Sequence, residues 1–140
     1  MMVFYRRHVC RLDPWPECLL RSFKAMEDDP RVYHAMCGPS EFHITGSLRD
    51  WDVSDRLAQI QLPTLVIGGR HDEATPAITE ALHRGIPGSE WEVLEDCSHL
   101  SHLEAPDAYQ TLLSAFMNRL ELGLCRHQTL GHHGHTVADL

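Results

Sequence analysis

The sequence predicts an α/β fold built on a parallel sheet, and three features carry that prediction. A short apolar, β-branched run, Thr64-Leu65-Val66-Ile67, follows Pro63 and stops at Gly68-Gly69. Such an uninterrupted run suits a strand buried on both faces, as in a parallel sheet. A second short strand, with Trp91, Val93 and Leu94, lies one helix further on, after the turn Pro87-Gly88-Ser89. From Pro106 onward, Tyr109, Leu112, Leu113, Phe116, Met117 and Leu120 recur on one helical face. Residues 64–121 therefore read as strand, helix, strand, helix, a β-α-β-α unit with right-handed crossovers.

The elements follow in chain order. Residues 1–47 read as helical and irregular. Pro14 and Pro16 stand at a helix start, where a missing N–H costs nothing, and Leu19, Leu20, Phe23 and Met26 then recur at helical spacing. Asp28-Asp29-Pro30 breaks the chain, Arg31 to Cys37 forms a short helix, and Gly38-Pro39 ends it. A polar loop with Ser40, Glu41, Phe42 and a Thr45-Gly46-Ser47 turn comes next. Val53 to Ile60 reads as a short amphipathic helix leading to the first strand. Thr75 caps the following helix with Pro76 at its first position, and Ile78, Ala81 and Leu82 form its inward face. Three segments result: 1–47, helical; 48–122, the strand-containing core; and 123–140, a polar tail that reads as disordered.

Composition narrows the function. Acidic residues outnumber basic ones, 20 against 12, for a formal net charge of −8. No Lys/Arg stripe is present, so nucleic acid is not an expected partner. No apolar run approaches membrane-spanning length, and no membrane partner is expected. The five cysteines, Cys10, Cys18, Cys37, Cys97 and Cys125, are odd in number and lack zinc or redox spacing. A reduced, cytoplasmic setting is the expectation. The tail histidines of Gly131-His132-His133-Gly134-His135 specify no coordination geometry, so neither a metal nor any other cofactor is expected.

In open parallel sheets chemistry collects at the carboxyl ends of the strands. Gly68-Gly69-Arg70-His71-Asp72-Glu73 follows the first strand, and Glu95-Asp96-Cys97-Ser98-His99 follows the second. Asp72 and His99 then project from neighbouring loops on one edge. Alone, either residue is ordinary: a solvated turn aspartate, a surface histidine among eleven. With Thr75 better placed to cap the helix, Asp72 is left with no structural duty of its own. In register, the two suit an acid–base pair. The carboxylate accepts the imidazole Nδ1–H, fixes its tautomer, and stabilises the imidazolium formed when Nε2 takes a proton from a serine. The order Asp, then His, is that of a Ser-Asp-His triad on an α/β-hydrolase.

Several strings sharpen this. Tyr5-Arg6-Arg7-His8-Val9-Cys10-Arg11, the stretch Tyr33 to Phe42, Leu62-Pro63-Thr64 through Glu73, and Ser98-His99-Leu100 resemble proline iminopeptidases, serine peptidases of the α/β-hydrolase fold. The resemblance covers about residues 4–121. It implies the C-terminal part of that fold: the end of a helical cap (1–47), then the last two parallel strands with their helices. It implies Asp72 and His99 as triad acid and base. It further implies Glu41 and Glu73 as the carboxylates that hold the free α-amino group of a peptide substrate, since a desolvated ammonium needs paired anions.

The family's nucleophile motif, Gly-x-Ser-x-Gly, is not in the 140 residues. Only Ser40 begins to fit, in Gly38-Pro39-Ser40-Glu41-Phe42, with Phe42 where the second glycine belongs. The expectation is a C-terminal half of a serine aminopeptidase that is inactive alone and is completed by an N-terminal half. Another α/β-hydrolase chemistry (esterase, amidase or epoxide hydrolase) and a non-catalytic remnant binding a partner chain are the alternatives.

Overall fold

The computed structural model describes residues 1–130, with side chains to residue 123. Three helices come first: α1 (Met2–His8), α2 (Glu17–Asp28) and α3 (Arg31–Met36). Pro16 directly precedes α2 with φ −59°, and Glu17 sits in its first turn, where negative charge suits the exposed N–H groups. Arg6 and Arg7 stand in the last turn of α1 with the sign its C-terminus favours. Residues Ser54–Gln59 form a 3-10 helix rather than an α-helical segment. The core then runs β1 (Leu65–Gly69), α4 (Pro76–Gly85), β2 (Glu90–Leu94), α5 (Ser101–Glu104) and α6 (Pro106–Leu130).

The two strands pair in parallel, from Leu65 against Glu90 to Gly69 against Leu94. β1 therefore runs through the glycine pair that was expected to stop it. These glycines serve close packing. A Cβ on Gly68 would press on the Thr79 side chain, and one on Gly69 would collide with the carbonyls of Cys97 and Ser98.

α4 packs on both strands, but not by the predicted face. Ile78, Ala81 and Leu82 are exposed, and Thr79 is buried instead. Thr79 Oγ1 accepts the Trp91 Nε1–H at 3.1 Å, and the His83 ring stacks on Trp91. Ser89 Oγ meets His83 Nδ1 at 2.9 Å, so the inward polar groups are all partnered. A satisfied Thr79–His83 face against a glycine-bearing strand displaces the apolar one that periodicity favours.

The opposite face of β1 opens onto a groove of about 390 Å³ between Leu65 and Ile67 and the α6 side chains Tyr109, Leu113, Phe116 and Met117. Leu65, Val66 and Ile67 are consequently half-buried, not enclosed on both faces. Phe116 is buried, while Leu113 and Met117 are exposed. α6 continues past Leu122, where the polar tail was expected to begin. Residues 131–140, with His132, His133 and His135, lie outside the described residues. The buried apolar side chains are Val9, Cys10, Leu19, Ile86, Cys97 and Phe116, distributed between the helical segment and the sheet. Among the described residues no helix is long and apolar enough to cross a membrane.

Candidate active site

The strand ends bring the site together. Beyond β1, the Arg70 N–H donates to the Leu94 carbonyl at 3.0 Å and the His71 N–H to the Cys97 carbonyl at 2.9 Å. The two exit loops are thus stitched side by side, which the small Gly69 permits. Asp72, with a side chain only 7% exposed, accepts His99 Nδ1–H on Oδ1 at 3.0 Å. The same oxygen accepts the Ala74 N–H at 2.8 Å. Asp72 therefore does have a structural duty: it closes the turn into α4. Thr75 occupies the N-cap position of α4 but makes no side-chain capping bond. His99 is 46% exposed, and with Nδ1 committed to Asp72 its Nε2 is left as the basic nitrogen.

The turn that carries His99 is anchored on its other side. Ser98 is fully buried. Its N–H donates to Glu104 Oε2, and its hydroxyl donates to Glu104 Oε1 at 2.7 Å. Glu104 Oε1 also accepts the Arg11 N–H. The His99 N–H itself donates to the His8 carbonyl at 3.2 Å, and the Glu73 N–H donates to that same oxygen at 3.3 Å. His8 Nδ1–H reaches the His71 carbonyl at 2.8 Å. The last turn of α1 is in this way bonded to both loops that bear Asp72 and His99.

Glu41 and Glu73 line one cleft of about 580 Å³. Its walls include Tyr5, Val9, Phe23, Met26 and Tyr33. Glu41 sits in the loop after α3, which Gly38 turns with φ +105°, a conformation that favours glycine. Both Glu41 oxygens are held by phenols: Tyr5 Oη–H donates to Oε1, and Tyr33 Oη–H donates to Oε2 at 2.6 Å. Burial pushes the Glu41 carboxyl up, but the Tyr33 and Tyr5 hydrogen bonds outweigh it and hold the group below the usual range. Burial and the adjacent carboxylate push the Tyr33 phenol up to about 12 and raise Tyr5 as well. Glu73 responds oppositely. Burial is the largest cause of a raised carboxyl pKa; the His99 and His8 rings oppose it, while the charges of Glu41 and Asp72 add to it. Among the described residues, neither Arg nor Lys lines this cleft.

The four residues predicted from sequence thus fall into two adjoining groups. Asp72 meets His99, and Glu73 brings the second group beside the first. Tyr5, Tyr33, His8 and Glu104 were not singled out. The two tyrosines are ordinary half-buried aromatics until the loop delivers Glu41 between them. Glu104 bonds only to main chain and a hydroxyl, a pattern without sequence spacing. Ser40 lines the cleft and pairs with His43 through a backbone bridge. Among the described residues, Asp72 is the hydrogen-bond partner of the His99 ring, and no serine hydroxyl reaches it.

No protein-family model matches the chain. Proline iminopeptidase from Thermoplasma volcanium is 40% identical over 116 residues, which is 83% of this chain and 39% of that protein. The crystal structure of proline iminopeptidase from Mycobacterium smegmatis superposes with a TM-score of 0.83 at 43% identity, over 88% of this chain and 41% of that one. The crystal structure of VinJ superposes with a TM-score of 0.78 at 46% identity, over 84% of this chain and 40% of that one. The chain spans about two fifths of the length of each.

Proposed function

We propose that this chain, which is similar to proline iminopeptidases and has an α/β-hydrolase-type fold, carries the acid–base pair and the amine-binding carboxylates of a serine aminopeptidase. In this reading Asp72 holds the His99 tautomer, and Nε2 takes the proton from a serine hydroxyl as it attacks the peptide carbonyl. His99 then returns that proton to the departing amine. Glu41 and Glu73 bind the substrate's α-ammonium, and the apolar cleft walls accept an uncharged N-terminal side chain such as the proline ring. The serine and the oxyanion-hole amides lie outside these 140 residues, and the chain alone does not turn over.

The observation that carries the reading is the unequal treatment of the two carboxylates. Glu41 is kept ionised by two neutral donors, whereas Glu73 is part-buried in a cleft that, among the described residues, no Lys or Arg lines. A charge burdened in this way is relieved by a cation, and a substrate ammonium supplies one. The experiment is hydrolysis of a proline chromogenic amide by the 140-residue chain, alone and with an added N-terminal half, each beside a His99→Ala control. Turnover only in the complemented, His99-containing mixture is expected. Turnover by the chain alone that is lost with His99 would overturn the assignment of the nucleophile and make Ser40 the first residue to test. Full-length activity on N-terminal peptides that survives Glu41→Gln with Glu73→Gln would favour esterase, amidase or epoxide hydrolase chemistry.

A further inference from the structure

We propose that Glu104 is a positioning residue for His99: its carboxylate sets the turn from which the imidazole meets Asp72. The inference rests on the acid–base role given to His99 above. Three donors converge on this one side chain, the Ser98 N–H, the Ser98 hydroxyl and the Arg11 N–H. Both polar groups of the residue directly before His99 are thereby committed. The residue itself is held by the His8 carbonyl, and Leu100 N–H is held by the Val9 carbonyl at 3.0 Å. Three successive residues, Ser98, His99 and Leu100, are pinned at their amides, so the direction of the His99 Cα–Cβ bond is fixed before the ring chooses its partner.

The chemistry of the anchor matters as much as its place. Among the described residues Glu104 has no cationic partner; its bonds come from neutral donors. Its neighbourhood includes the buried thiols of Cys10 and Cys97. A carboxylate held there by neutral groups alone is a costly way to fill space, because an apolar side chain would fill it without desolvating a charge. What the carboxylate provides and an amide does not is acceptor capacity on both oxygens at once. The substitution Glu104→Gln would turn one oxygen into an NH₂ facing either the Ser98 N–H or the Arg11 N–H, and one of these two amide tethers would break.

The test is the tautomer of the His99 ring, read by long-range ¹H–¹⁵N spectra of the 140-residue chain with Glu104→Gln and Ser98→Ala as variants. In the unmodified chain a single Nδ1–H tautomer is expected. Glu104→Gln is expected to lose that single pattern and give a mixture with the Nε2–H form, while the dispersed spectrum of the folded chain persists. Ser98→Ala removes only the hydroxyl tether and is expected to give a smaller admixture. A single Nδ1–H tautomer in a folded Glu104→Gln chain would overturn the proposal, since a merely structural carboxylate predicts that result. If Glu104→Gln does not fold, Ser98→Ala decides by the same criterion. The readout needs no turnover, so its failure is distinguishable from failure of the aminopeptidase reading.

Discussion

Glu41 and Glu73 face one cleft and answer to opposite forces. The Tyr5 and Tyr33 bonds, on the order of 1 kcal/mol each for a part-exposed carboxylate, favour ionised Glu41 in the folded chain. Its lowered pKa means stability that is present above the unfolded carboxyl pKa and lost as pH falls through the folded one. Glu73 has a raised folded pKa, so its contribution is full below the unfolded value and lost as pH rises through the folded value. At neutral pH Glu73→Gln is therefore expected to raise Tm while weakening amine binding, and Glu41→Gln is expected to lower Tm. Near pH 4, where carboxyl groups titrate, the two shifts shrink. Thermal melts of both variants at the two pH values check this, and a lower Tm for Glu73→Gln at neutral pH would contradict it. The placement of Asp72 beside His99 and of Glu41 beside Glu73 was legible in sequence, because strand ends and motif strings mark these positions. Their supports were not: Tyr5, Tyr33 and Glu104 acquire meaning only when segments far apart in the chain converge, and local spacing holds no trace of that.

At the scale of elements, β1 and α4 show where periodicity succeeds and where packing overrules it. Order and type of the strand-helix-strand-helix unit follow from the apolar runs and their Pro and Gly punctuation. The glycine pair, however, looks like a stop signal and acts as packing space. Gly69 lets the β1 exit loop lie against the Cys97–Ser98 backbone. Gly69→Ala is expected to cost about 3 kcal/mol, because the added methyl meets backbone that cannot move aside. Gly88, at φ +73° with open space around it, is expected to cost only about 1 kcal/mol as Ala. Denaturant midpoints of the two variants check the ordering, and equal losses would refute it. The inward face of α4 was misjudged for a related reason. Thr79 and His83 look like surface residues in sequence, but Trp91 and Ser89 supply the partners that let them turn inward.

For the whole molecule, the balance lies between a well-bonded site and a thin apolar interior. Among the described residues β1 has one strand neighbour, and its other edge is unpaired. Leu62, Val32 and Trp51 are 75%, 70% and 66% exposed. An unpaired strand edge is a template for pairing with another chain, and exposed large apolar side chains add to that tendency. The 140-residue chain is therefore expected to self-associate with rising concentration in sedimentation velocity, and Leu113→Lys with Met117→Lys, which charges the groove beside β1, is expected to reduce the association. A cooperative, concentration-independent melt of a monomer would count against this. Cohesion between the helical segment and the sheet has a different basis. The carbonyl of His8 receives the amide protons of both Glu73 and His99. One oxygen atom thus fastens the loop after β1 and the loop after β2 to the same helix end, and neither loop can be released from α1 by that atom's departure without releasing the other.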